Sequence, residues 1–200
     1  MPRRTAAQAA ETRAALIEAA TERFARDGWD ATSADQIATE AGVTRGALYH
    51  HFPAGKPDLL EAVHVDRLAV IDEALTIAGT EAIEASGDLW DGLIAGTARY
   101  LELCVDPTIG RIVLSEAPKG LGWDRWEAID EEFSVAQLAG ILQLLVADGQ
   151  IPPQPLLPLT RLLVALYNRA GRAVLTAPDP EAEREVQLAL LTTFLRSLGS

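Results

Sequence analysis

Cysteine is nearly absent. Cys104 is the one thiol in 200 residues, which excludes an intramolecular disulfide and a cysteine-built zinc cluster within the chain and agrees with a reducing compartment. Its simplest role is that of a small buried hydrophobe. Long apolar runs are missing too: no segment approaches the roughly 20 residues a membrane helix needs. Met1 to Ala10 is polar and alanine-rich without an apolar signal core, so no membrane partner and a cytoplasmic location are expected. The chain contains no G-x-S-x-G, H-E-x-x-H, phosphate loop or dinucleotide fingerprint, and its acids are scattered over helix surfaces. An enzyme is therefore not expected and no cofactor is implied. His50 and His51 are neighbours whose side chains diverge by about 100° on a helix, so no metal site is expected from them. Strand-like alternation and internal repeats are absent as well, and the only compositional bias is a mild proline enrichment between Ile151 and Pro158.

Positive charge is scarce, with a formal net of −12, which looks wrong for a protein that touches a polyanion. The deficit is local. Residues 1–56 carry seven basic and seven acidic side chains, while residues 57–200 carry ten basic and 22 acidic ones. The resulting field repels nucleic acid from everything except the N-terminal part. The asymmetry points to two regions with different partners.

What is present is helical periodicity. Leu16, Ile17, Ala20 and Phe24 form one stripe of a helix from about Ala10 to Arg26, ended by Asp27-Gly28. Ser33 and Gln36 have the spacing of a reciprocal capping box, so a second helix starts there, with Ile37 and Ala38 inward and Gly42 suited to a sharp exit. Thr44 caps a third short helix, Arg45 to about Phe52, whose Leu48 and Phe52 face Phe24 and Ile37. Pro57 suits the first turn of a fourth helix that carries Leu59, Leu60, Val63, Leu68, Ile71 and Leu75 to about Ala78. Further helices are predicted at about 88–104, 107–117, 123–148, 156–177 and 180–198, separated by proline- and glycine-containing breaks.

The chain is thus all-α. Two short helices joined by a tight glycine-containing turn form a unit whose second helix fits the major groove of DNA. The outward residues of that helix, Thr44, Arg45, Ala47, Tyr49 and His50, are types that read base edges or hold phosphates. The run Ala31-Thr32-Ser33, Ile37-Ala38, Ala41-Gly42-Val43, Gly46 to Phe52 and Lys56, with Phe24 and Gly28-Trp29 upstream, resembles the DNA-binding domain of the TetR family over about residues 10–65. The resemblance implies a three-helix DNA-binding domain at 10–65, with the helix-turn-helix at about 33–52, followed by a ligand-sensing and dimerisation bundle at 66–200. It places Arg45, Gly46, Ala47, Tyr49 and His50 in or along the groove, Thr32 and Ser33 against phosphate, and Lys56 as a phosphate anchor. Two departures stand out: Trp29 replaces the commoner Tyr or Phe, and Ala54-Gly55 before Lys56 is one residue longer than the commonest form.

Leu156 to Leu175 is apolar over most of its circumference, so it needs two neighbours. Leu159, Leu162, Leu166, Ala170 and Val174, joined by Leu191 and Leu195 of the last helix, are the expected homodimer contact, with Val186, Leu190, Phe194 and Leu198 of that helix completing it. Trp90, Arg99, Tyr100, Trp123, Trp126, Tyr167 and Asn168, with Arg172, are the candidate pocket for a small-molecule effector. The function implied is a repressor on a palindromic double-stranded operator, released by that effector. Two alternatives are a helical ligand-binding or interaction module without DNA binding, for which Arg45→Ala would change nothing, and a helical enzyme.

Overall fold

The computed structural model describes residues 6–199, and no strand occurs among them. The stretch expected to lack a signal core begins in residues 1–5, outside the described residues. Eleven α-helices follow one another: α1 (Ala6–Arg26), α2 (Gly28–Ala31), α3 (Ala34–Glu40), α4 (Arg45–His51), α5 (Lys56–Ser86), α6 (Leu89–Leu103), α7 (Ala117–Leu121), α8 (Trp123–Asp130), α9 (Ala136–Ala147), α10 (Leu156–Thr176) and α11 (Pro180–Arg196). Two π-helical stretches, Pro107–Glu116 and Glu131–Val135, lie between α6 and α7 and between α8 and α9.

Three apolar clusters hold the chain. The first joins Leu16, Ala20 and Phe24 of α1 to Ile37 of α3, Leu48 of α4 and Leu59, Leu60 and Val63 of α5, and it accepts one distant residue, Ile112. The second packs α5, α6 and the Pro107–Glu116 stretch against Ala170, Val174 and Leu191. The third sits at the far end around Trp90, Leu142, Leu145, Leu163 and Leu195.

Local chemistry explains most boundaries. Gly28 takes φ +81 and ends α1, and a Cβ there would lie 2.9 Å from Nη2 of Arg111 as well as being strained. The expected short link after it is the four-residue helix α2. α5 does not stop near Ala78. Gly79 sits against the backbone of Gly92 on α6, where a Cβ would meet its carbonyl oxygen at 3.3 Å. That packing carries the helix on to Ser86, and Gly87 ends it in the left-handed conformation. The helix expected at 107–117 is wound as a π-helix. Asp106 caps it by accepting from the Thr108 N–H, and at its end the Ala117 N–H reaches the carbonyl of Ile112, five residues back. Pro118, which lacks an N–H and crowds the turn before it, follows at once, and the wider winding leaves room for its ring. The helix expected at 123–148 is continuous but widens at Glu131–Val135.

Candidate nucleic-acid interface and effector cavity

The helix-turn-helix is fixed by its own caps. Ser33 Oγ accepts from the Gln36 N–H at 3.3 Å while Gln36 Oε1 accepts from the Ser33 N–H at 2.8 Å. Gly42 takes φ +65, and the Gly42 and Val43 amides donate to the Thr39 and Ala38 carbonyls at 3.1 and 2.9 Å, which closes α3. Thr44 Oγ1 then accepts from the Ala47 N–H at 3.2 Å and opens α4. Arg23 pairs with Asp27 and Glu40, and Arg26 joins the same two acids, so the end of α1 is tied to the end of α3. With Leu48 and Phe52 inside, α4 turns Thr44, Arg45, Gly46, Tyr49 and His50 to solvent, with Ala47 half-buried.

Arg45 is the exposed cation of this face. Nη1 donates to Asp35 Oδ2 at 2.8 Å, and the guanidinium lies over the Tyr49 ring at 5.4 Å from its centroid. Both partners of the ion pair are solvated, so it contributes little to stability and the guanidinium is free to exchange it for a base edge or a phosphate. Ser33 is exposed beside this surface.

Two expected phosphate contacts have other work. Thr32 is only 3% exposed, and its hydroxyl donates to the Gly28 carbonyl at 2.8 Å. Lys56 Nζ donates to the carbonyls of Trp29 at 2.6 Å and Thr32 at 2.8 Å and lies 3.8 Å from the centre of the Trp29 ring. It therefore caps α2 and braces it against α5, and burial pulls its pKa below the ordinary lysine value. Trp29, the residue that departs from the commoner Tyr or Phe, supplies the face on which that ammonium rests.

A connection that the sequence did not reveal lies behind the helix-turn-helix. Glu116, 6% exposed, accepts from the Trp29 N–H at 2.7 Å and from Arg111 Nε at 3.2 Å. Arg111 Nη1 donates to the carbonyls of Ala25 and Arg26 at 2.6 and 3.1 Å, which closes the end of α1. The Pro107–Glu116 stretch thus grips α1 and α2 while its Val113 faces a cavity in the second half of the chain.

That cavity, about 250 Å³, lies between α5, α6, α9, α10 and the two π-helical stretches. Of the expected pocket residues, Tyr100, Tyr167 and Asn168 line it. The other four and Arg172 do not, for reasons visible in their contacts. Trp90 is core beside Leu142 and Leu195, and Trp126 is core with its indole N–H donating to the Val113 carbonyl at 3.0 Å. Trp123 is 61% exposed, Arg99 pairs with Glu102 on the surface, and Arg172 donates to the Leu114 carbonyl. The residues missed include Asp130, Ser134, Gln137, Thr76 and Thr80. None sits in a pattern that separates a cavity wall from a solvated helix face.

The expected dimer residues also divide. Leu162 is 71% exposed, Leu159 and Leu166 are half-buried against their own subunit, and Ala170, Val174, Leu191 and Leu195 are inside it. α10 and α11 pack on each other and on α6 with those last four side chains between them. Of the expected set, Leu162, Val186, Leu190 and Phe194 form the outward face.

Comparison with known proteins agrees with this architecture. Residues 16–63 match the model described as bacterial regulatory proteins, tetR family, and residues 90–198 match the one described as tetracyclin repressor-like, C-terminal domain. The HTH-type transcriptional regulator SrpR of Pseudomonas putida is 52% identical over 154 residues, 76% of this chain and 69% of that protein. The transposon Tn10 TetC protein of Escherichia coli is 31% identical over 136 residues, 68% of this chain and 66% of its own length. A crystal structure of a TetR-family transcriptional regulator from Pectobacterium atrosepticum superposes with a TM-score of 0.80 at 31% identity, covering 98% of this chain and 97% of that one. The chain belongs to the TetR family of bacterial transcriptional regulators, with its helix-turn-helix DNA-binding domain at the N-terminus and a helical C-terminal domain after it.

Proposed function

We propose that the protein is a repressor that binds a palindromic operator as a homodimer and leaves it when a small molecule fills the cavity. The observation that carries the DNA-binding part is α4: a capped helix on a fully packed base whose free face presents Thr44, Arg45, Tyr49 and His50. The neutral charge of residues 1–56 against the −12 of the remainder favours docking through this end alone. Ser33 and the N-terminus of α3 supply phosphate contacts beside it.

Dimerisation is supported by the exposed apolar face of α10 and α11, where Leu162, Val186, Leu190 and Phe194 stay 46% to 71% exposed. A two-fold pair of recognition helices doubles the base contacts that one short helix offers. Release follows if the occupied cavity favours a different separation of those helices. Two elements touch both regions and serve as levers: α5, which runs from the first apolar cluster into the cavity wall, and the Pro107–Glu116 stretch, with Arg111 and Glu116 on one side and Val113 on the other.

The test is fluorescence anisotropy of the purified protein with its own upstream intergenic DNA over a salt titration. Selective, salt-sensitive binding is expected, and the Arg45→Ala, Tyr49→Ala variant loses it by about 1 to 3 kcal/mol or more. Absence of selective binding by the unaltered chain would favour an interaction module that does not read DNA, and equal binding by the variant would take the reading away from α4.

A further inference from the structure

The polar groups of the cavity limit what it can hold. Its walls are mostly Leu, Ile and Val with the rings of Tyr100 and Tyr167, edge to face at 5.7 Å, and among the described residues no lysine, arginine or histidine lines it. The one ionisable carboxyl group is Asp130, at the junction of α8 with the second π-helical stretch and only 5% exposed. Asp130 Oδ1 accepts from Ser134 Oγ at 3.1 Å and Oδ2 from Asn168 Nδ2 at 2.7 Å, while Tyr100 donates its hydroxyl to Asn168 Oδ1 at 3.3 Å. Thr97 gives its proton to the Leu93 carbonyl, so Tyr167 is the donor in its 2.6 Å bond to Thr97.

The hydroxyl donors of Ser134, Tyr100 and Tyr167 are therefore spent inside the protein, Asn168 keeps one amide N–H, and the carboxylate retains acceptor capacity. A carboxylate offers about four lone-pair sites, of which two are used here. Thr76 and Thr80, across the cavity on α5, are neutral and serve either sense of hydrogen bond.

We propose, resting on the effector reading above, that the cavity takes a small lipophilic cation, a protonated amine on a one- or two-ring apolar body, with Asp130 as its counter-ion. The volume lies just under the roughly 300 to 1,000 Å³ of drug-sized pockets, which sets the size of the body. Tyr100 and Tyr167 line the same cavity as Asp130, and aromatic rings attract a cation lodged against them. The −12 net charge, all of it arising beyond residue 56, draws cations to this half of the molecule and disfavours anions. A carboxylate or phosphate ligand would meet Asp130 with nothing to offset either charge. Burial already pushes the Asp130 carboxyl above its ordinary value, with the hydrogen bonds from Asn168 and Ser134 opposing it, so a bound cation relieves an existing penalty.

The test is a charge series of one shape: 1-naphthylmethylamine, 1-naphthalenemethanol and 1-naphthoate, titrated into the full-length protein by calorimetry with thermal melts alongside. The amine is expected to bind about tenfold or more tighter than the alcohol, and the acid not at all. Asp130→Asn is expected to remove the advantage of the amine while leaving the binding of the alcohol, which shows that the cavity is intact; Ser134→Ala keeps the order of the three. The series on the unaltered chain decides the matter even where a variant fails to fold. If the acid or alcohol binds as tightly as the amine, the cation assignment is wrong and the effector site stands; if none of the three binds, both readings fall.

Discussion

His64 is the residue whose chemistry fits its surroundings least. It sits on α5 with no exposed surface, and neither ring nitrogen has a hydrogen-bond partner. Burial pushes its pKa down from 6.5 to about 4, with Glu61 opposing the shift. The neutral ring is then the folded form, and above pH 6.5 the group leaves stability unchanged. Below that, the unfolded chain takes up a proton that the folded chain refuses, so stability falls as the pH drops from 6.5 towards 4, by about 3 kcal/mol in all. Urea unfolding of the parent and of His64→Leu at pH 7.5 and pH 4.5 is expected to show the leucine variant at least as stable at the higher pH and clearly more stable at the lower. A constant difference between the two proteins at both values would mean that the ring is hydrated or paired.

Residue roles around the helix-turn-helix were legible where the chemistry is local. The Ser33–Gln36 capping box, the Gly42 turn and the Thr44 cap each involve partners within five residues, and all three form as their spacing implies. The resemblance implies a phosphate anchor at Lys56; its bonds to the carbonyls of Trp29 and Thr32 were not legible, because those partners lie more than twenty residues away and carry no side-chain signal. Asp130 was missed for the same reason: an acid between Ile129 and Glu131 looks solvated until α10 brings Asn168 against it.

At the scale of elements, the Pro107–Glu116 stretch joins the two halves. Its periodicity showed a helix, but neither its wide winding nor its contacts with α1 and α2 could be read from it. At the start of the stretch a Cβ on Gly110 would lie 2.0 Å from the Cys104 carbonyl oxygen, an approach no periodicity shows, and the contacts with α1 and α2 join residues far apart in the chain. Glu116 concentrates the connection, because it satisfies the Trp29 N–H and positions Arg111 over the end of α1. Glu116→Ala leaves a part-buried amide without a partner and is expected to cost about 1 to 3 kcal/mol in urea unfolding, whereas Glu116→Gln, which keeps an acceptor, costs less. If the stretch is a lever, the alanine variant also weakens the coupling between ligand and DNA affinity, read as a smaller change in anisotropy-measured Kd on adding ligand. An unchanged ratio would assign transmission to α5 alone.

At the scale of the whole molecule, charge and apolar surface divide the chain by partner. The asymmetry of charge was visible in the sequence, and so was a C-terminal helix apolar over most of its circumference. Which members of the expected contact turn inward was not, because α10 is apolar on nearly every side and its rotation is set by how α6 and α11 pack on it. Ala170, Val174, Leu191 and Leu195 went inward, leaving Leu162, Val186, Leu190 and Phe194 outside. Leu162→Glu with Leu190→Glu places like charges on that face, and light scattering is expected to show a monomer with an unchanged helical spectrum. A dimer that persists would place the contact elsewhere.

In the proposed repressor two copies of α4 read two halves of one site. The most direct measurement is a hydroxyl-radical footprint of the full-length protein on its upstream intergenic DNA. Two protected half-sites related by two-fold symmetry are expected, spaced by about one helical turn or a multiple of it, roughly 34 to 36 Å per turn. Both half-sites disappear together in the Arg45→Ala, Tyr49→Ala variant. A single unpaired patch, or protection that survives in that variant, would contradict that reading.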